Sequence, residues 1–327
     1  MRCGTALIAL AGSATTVRAD AVGGPSATGA AYAGELPAPA PGPDVRLISG
    51  VPSYLWHHGC GPTAMGMVVG YWDGQGFGNM IPGSADWQGN RQAIEQAIAS
   101  PGHVADYALY DGVNDAKWSQ WPHADPYPDL SQLDPVAAHA PDCLADFAAV
   151  SFSSLGMKYG WSYFDRQGDA LAAWTEGRGY DARIERSYCT TLYYFWLDLV
   201  YHIDCGRPAE FLVDTDADGR TDHFVTVIGY DATLDDRKYA CYSTWDHDVH
   251  WFEYAKVRSG QYWGIYGATF LIPSPEPAGP ALLIAGAGLL LRRRRRRDEF
   301  QLAWAAEGGP ADSHGARRTS RTTGLGR

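Results

Sequence analysis

The chain has 327 residues, 46% hydrophobic and 13% aromatic, with a formal net charge of −11 at pH 7. That composition suits one or two folded domains with an ample core and excludes a wholly disordered chain. Six positive charges are concentrated at residues 292–297, so the body is more acidic than the total suggests, which excludes nucleic acid as a partner.

Residues 1–21 read as an export signal: a charged start at Arg2, an apolar centre at 6–11 and small residues around Ala19 and Ala21. Residues 22–44 are mostly Ala, Gly and Pro and read as a flexible linker. The folded body is expected over 45–273. Within it, Pro62 suits the first position of a helix over 62–71, ended by the Gly-rich turn at 73–79. A second helix is expected over 91–98. The stretch 111–141, rich in Asp, Pro, His and Trp, reads as a long surface excursion. Helical patterns return at 143–147, 170–174 and 192–203, the last stopped by Gly206 with Pro208 just beyond. The pattern then changes to strands at 210–213, 224–230, 239–245 and 264–271, apolar runs bounded by Gly and Asp. Helices first and a mainly antiparallel sheet afterwards make an α+β body.

Two stretches carry chemistry. In the first, Cys60 lies between Gly59 and Gly61 immediately before Pro62, which puts its sulfur at a helix N-terminus. Unpaired N–H groups and the positive dipole end there favour a thiolate. The alternative is a buried or disulfide-bonded cysteine that caps a core helix. In the second, Asp214, Asp216, Asp218 and Asp222 surround Gly219 in a turn-rich loop. Oxygen ligands at alternate positions with Gly at the sixth match the first half of a calcium loop, but the twelfth position is Val225, where a bidentate Glu belongs. Calcium is the candidate ion, and a solvated acidic turn is the alternative.

His223 follows that loop directly and opens a strand, where it can serve as the base for a thiol nucleophile. Asp246, beyond the next strand, is the best-placed orienter for the imidazole, with Asp248 and Ser243 as alternatives. Removing Cys3 with the signal leaves Cys60, Cys143, Cys189, Cys205 and Cys241. In an oxidising compartment this odd number predicts up to two disulfides and one free thiol, for which Cys60 is the candidate.

Taken together, Gly59-Cys60-Gly61-Pro62-Thr63-Ala64, Gly206-Arg207-Pro208 before a strand, and the run from Asp222-His223 to Tyr230-Asp231 resemble the C39-like branch of papain-type cysteine peptidases. The resemblance covers roughly residues 51–272. It implies a papain-like fold with Cys60 as nucleophile, His223 as base and an Asp as orienter, acting on a peptide or protein substrate without a required cofactor. One departure stands out. The family carries a Gln six positions before the Cys as an oxyanion donor; this chain has Tyr54 there and no Gln over 45–60. Trp56, His57 and His58 are the nearby substitutes. Loss of one oxyanion donor costs about 10²–10³ in rate, so a catalytically inactive surface binding module is the alternative reading.

At the other end, Pro275-Glu276-Pro277, the apolar run 281–291 and six arginines resemble a PEP-CTERM sorting signal, here over 274–298. That resemblance implies recognition by exosortase and a transient membrane anchor in the cell envelope of a Gram-negative bacterium. The apolar run is shorter than the roughly 20 residues of a full span. Residues 299–327, rich in Arg, Gly, Ser and Thr, read as a disordered tail.

Overall fold

The computed structural model describes residues 32–107, 130, 139–157, 160–233 and 236–275. The expected export signal, all but the first two residues of the sorting signal, the tail and most of the stretch 111–141 lie outside the described residues. The elements run in the order β1 (Val45–Leu47), α1 (Cys60–Gly74), α2 (Trp87–Ile98), α3 (Pro101–Asp106), α4 (Leu144–Phe147), α5 (Phe164–Glu176), β2 (Tyr180–Tyr188) and α6 (Leu192–Asp204). Then come β3 (Ala209–Asp214), β4 (His223–Asp231), β5 (Lys238–Tyr242), β6 (Val249–Glu253) and β7 (Gly264–Pro275). The architecture is α+β. Among the described residues, no helix is long and apolar enough to cross a membrane.

All seven strands form one antiparallel sheet in the order β2-β7-β3-β4-β5-β6, with β1 added alongside β4. Because strand side chains alternate between faces, the buried strands separate two cores. Phe224, Thr226 and Ile228 of β4 face α1: Phe224 packs against Cys60, the Thr226 hydroxyl donates to Ala64 O at 3.0 Å, and Ile228 clusters with Tyr71. His223, Val225 and Val227 face the other way, toward the layer that α6 covers with Phe195, Trp196, Leu199 and Ile203. With both faces covered, all nine residues of β4 are buried, which explains why it reads as a continuous apolar run. A bulge interrupts the β4–β5 register beside Gly229, where any Cβ would sit 2.3 Å from the Arg46 carbonyl of β1. Only glycine lets β1 cross so closely.

Helix α1 starts at Cys60 itself, with Pro62 in its first turn, and runs three residues further than the pattern predicted. Strands β1, β2 and β6 and helix α3 were not anticipated. β2 alternates exposed Asp181 and Arg183 with half-buried Ala182 and Ile184 at the sheet edge, so its charges masked the alternation. The linker expected over 22–44 is corrected at its C-terminal end. The Tyr32 ring stacks on His250 at 3.9 Å, Glu35 Oε1 lies 2.8 Å from His250 Nδ1, and Leu36 N–H donates to Trp251 O at 2.8 Å. A few anchors suffice to fasten a segment that is otherwise Ala, Gly and Pro.

Candidate active site

The loop before α1 is held in one conformation from several sides. Trp56 N–H donates to Thr244 O at 2.6 Å, which fixes it to the turn after β5. The Thr63 hydroxyl donates to Gly59 O at 2.7 Å and accepts from His57 N–H at 3.0 Å. Gly59 has φ +154°, and a Cβ there would lie 2.9 Å from the Pro62 ring and 3.0 Å from Gly160 O, so glycine is required. Cys60 is left in a pocket of Ala64, Phe164, Leu212 and Phe224, flanked by Trp56 and Tyr266, and is only 1% exposed. Burial pushes its thiol up to about 12, although the N–H groups of Phe224 and Gly61 donate toward the sulfur. The carboxyl groups of Asp222 and Glu210 push the same way as burial.

His223 is also fully enclosed. Its ring stacks on Trp245 at 4.4 Å, and Nε2 lies 2.6 Å from Ser243 O. A carbonyl only accepts, so Nε2 carries the proton and Nδ1 is left with a lone pair. Nδ1 is buried without a hydrogen-bond partner. Burial lowers the imidazole to about 4, against the opposing effect of the Ser243 bond. The structure therefore brings Cys60 against the neighbour of His223 without a hydrogen bond between the two side chains. Pairing of β4 with β5 begins only at Thr226, so residues 223–225 have no β5 partner, although all three are buried. Both groups flank this short stretch, from opposite faces of the sheet.

Asp246 does not reach His223. Its carboxylate accepts from the Tyr32 hydroxyl, from His250 Nε2 at 2.9 Å and from Asp248 N–H at 2.9 Å. Burial raises its carboxyl, but the bonds from Tyr32 and His250 outweigh that and hold it below its ordinary value. The orienting contact belongs instead to the Ser243 carbonyl. The Ser243 hydroxyl, named as an alternative orienter, faces Tyr32 and Trp245 N–H.

Asp214, Asp216 and Asp218 bring one carboxylate oxygen each within 4.8 Å of the others, the set able to hold a cation. Asp222 is turned away, accepting from Thr215 N–H at 2.8 Å and from the Thr215 hydroxyl at 2.6 Å. Asp214 is fully buried and accepts from Ala217 N–H at 2.9 Å and Gly219 N–H at 2.7 Å, whereas Asp216 and Asp218 are exposed. Asp214→Ala strands two backbone donors and is expected to cost about 2–3 kcal/mol. Asp216→Ala is expected to cost under about 0.5 kcal/mol, both read from urea midpoints.

Two residues at the site carried no sequence signal. Glu210 of β3 is fully buried with neither carboxyl oxygen hydrogen-bonded. Gln167 of α5 is also buried, and its Oε1 lies 2.9 Å from where a Cβ on Gly61 would be; its Nε2 donates to Ser162 Oγ and Tyr163 O. Tyr54, which stands at the family's Gln position, points into the core and donates to Ala85 O at 2.7 Å. His57 and His58 are tied to Ala99 O and Tyr107 O at 3.3 Å each. Cys60, Cys143, Cys189 and Cys241 are all free thiols, so no disulfide forms among these four.

No family model, no curated protein and no solved structure matches this chain.

Proposed function

We propose that this chain is an exported cysteine peptidase-like hydrolase with a papain-like arrangement, cleaving peptide bonds through a thioester at Cys60. The observation that carries this reading is the His223 imidazole, its proton fixed on Nε2 by Ser243 O and its Nδ1 lone pair unclaimed, one residue before Phe224, which packs against Cys60. For the reaction the His223 ring has to come within hydrogen-bond reach of the Cys60 sulfur, where Nδ1 takes the thiol proton. The sulfur then attacks the substrate carbonyl carbon, the amine departs with the proton from His223, and water cleaves the thioester by the reverse transfers. Backbone N–H groups at the start of α1 supply the oxyanion donors that Tyr54 does not. The sequence of 1–21 and 274–298 supports export and exosortase-processed sorting at the cell envelope, with a transient membrane anchor. Calcium at Asp214, Asp216 and Asp218 is a separate proposal that the thiol chemistry does not need.

A second reading, a catalytically silent surface binding module, is favoured by the 1% exposure of Cys60 and its raised pKa. Labelling with a peptidyl electrophile separates the two. Covalent modification of Cys60 that is lost in His223→Ala supports the hydrolase. A thiol that reacts only after unfolding leaves the binding module.

A further inference from the structure

We propose that His103, Cys143 and Asp146, with His139 as fourth donor, form a binding site for a divalent transition metal, zinc foremost. The site is distinct from the thiol site and does not depend on the hydrolase reading. His103 lies on α3, Cys143 caps α4 and Asp146 sits in the first turn of α4, which brings the three from segments 40 residues apart in the chain. All three are buried, and one ligand atom from each lies within 4.8 Å of the others, while His139 falls in a second set with Asp142 and Asp146 that meets the first at the Asp146 carboxylate. His103 Nδ1 is 2.6 Å from Asp146 Oδ1, and its Nε2 is buried with no partner. Cys143 Sγ and His139 Nε2 both lie 3.1 Å from Asp146 Oδ2.

Hydrogen bonding alone accounts poorly for this arrangement. Asp146 Oδ2 also faces the N–H groups of Asp142 at 3.0 Å and Cys143 at 3.3 Å, so four donors crowd one oxygen with two lone pairs. A single cation in place of the thiol and imidazole protons relieves that crowding. His139 has the outer support that metal-bound histidines have: its Nδ1 lies 2.6 Å from Asp106 Oδ2, which fixes the ring with Nε2 directed inward. One thiolate, two imidazoles and a carboxylate is a zinc donor set, and the sulfur argues against calcium or magnesium. The site also adjoins the nucleophile loop, since the His58 ring meets His103 edge-on at 5.1 Å. A bound metal therefore braces the segment that carries Cys60.

The test uses the full untagged chain with Cys60→Ser, so that no signal can arise at the thiol site. It is dialysed against zinc for metal analysis, and separately loaded with cobalt for absorption spectroscopy. The expected result is one zinc per chain and a thiolate-to-cobalt charge-transfer band that disappears in Cys143→Ser. Absence of the band, or its survival in Cys143→Ser, overturns the site. Should Cys143→Ser fail to fold by circular dichroism, Asp106→Asn decides, because its carboxylate touches the site only through His139. A 10- to 100-fold weaker zinc affinity is expected there. An unchanged affinity overturns the proposal.

Discussion

Replacing Cys60 with alanine is expected to abolish peptide hydrolysis, and His223→Ala to lower kcat/KM by at least about 10³. The two act as one unit, so the double variant should be no worse than the more damaging single one. The pH profile adds a sharper test. The base must be unprotonated and the thiol must hold its proton until His223 takes it. With His223 lowered to about 4 and Cys60 raised to about 12 in the free enzyme, kcat/KM should climb through about pH 4 and stay flat across the neutral range. A preformed thiolate–imidazolium pair would instead leave a His223-dependent thiolate that reacts with iodoacetamide at neutral pH. Asp246→Asn should change kcat/KM only a few-fold, because its carboxylate holds Tyr32 and His250. A loss comparable to that of His223→Ala would restore Asp246 as orienter and contradict the geometry.

Glu210→Met is expected to stabilise the fold by about 1–3 kcal/mol at neutral pH, since it removes a buried carboxyl whose two oxygens bind nothing. Burial pushes this carboxyl well above the usual range, so the folded state keeps its proton where the unfolded chain has lost it. Stability from this group is therefore present below the unfolded pKa, about 4.3, and declines as pH rises above it, by at most about 1.4 kcal/mol per pH unit. Asp222, raised mainly by burial to about 7, has the same sign and finishes its decline near neutrality. His202 and His223, lowered by burial, work against both, because they resist the proton that the unfolded chain takes up below about 6.5. The measurement is thus the difference between wild type and Glu210→Met in urea midpoints from about pH 4.5 to 8. The gain should grow with pH; a gain independent of pH would mean that Glu210 is ionised in the folded chain.

The parts of the fold that could be read in advance are those where burial is uniform. β3, β4 and β7 lie inside the sheet and present mainly apolar runs, and Gly59-Cys60-Gly61-Pro62 announces the start of α1 by turn chemistry alone. β2 escaped because an edge strand keeps its charges in solvent, and β6 because five residues are too short to establish a period. At the candidate site, Cys60 and His223 were legible from their local setting. The orienter was not: Asp246 is close to His223 in sequence, but its carboxylate is occupied by Tyr32, 214 residues away. Gln167, Glu210 and the His103–Cys143–Asp146 cluster owe their positions entirely to packing, so no spacing along the chain could reveal them.

The N-terminal segment around Tyr32 lies against the same corner of the sheet that holds His223. The Tyr32 hydroxyl bridges Ser243 and Asp246, and its ring stacks on His250 at 3.9 Å with Trp263 6.1 Å away. A chain trimmed to start at Val45 would thus lose more than a dangling leader. It would unlatch the corner whose Ser243 carbonyl sets the tautomer of His223, and leave the Asp246 carboxylate with only His250 and Asp248 N–H as partners. A cut anywhere between Tyr32 and β1 would then alter the setting of the imidazole from the far end of the polypeptide.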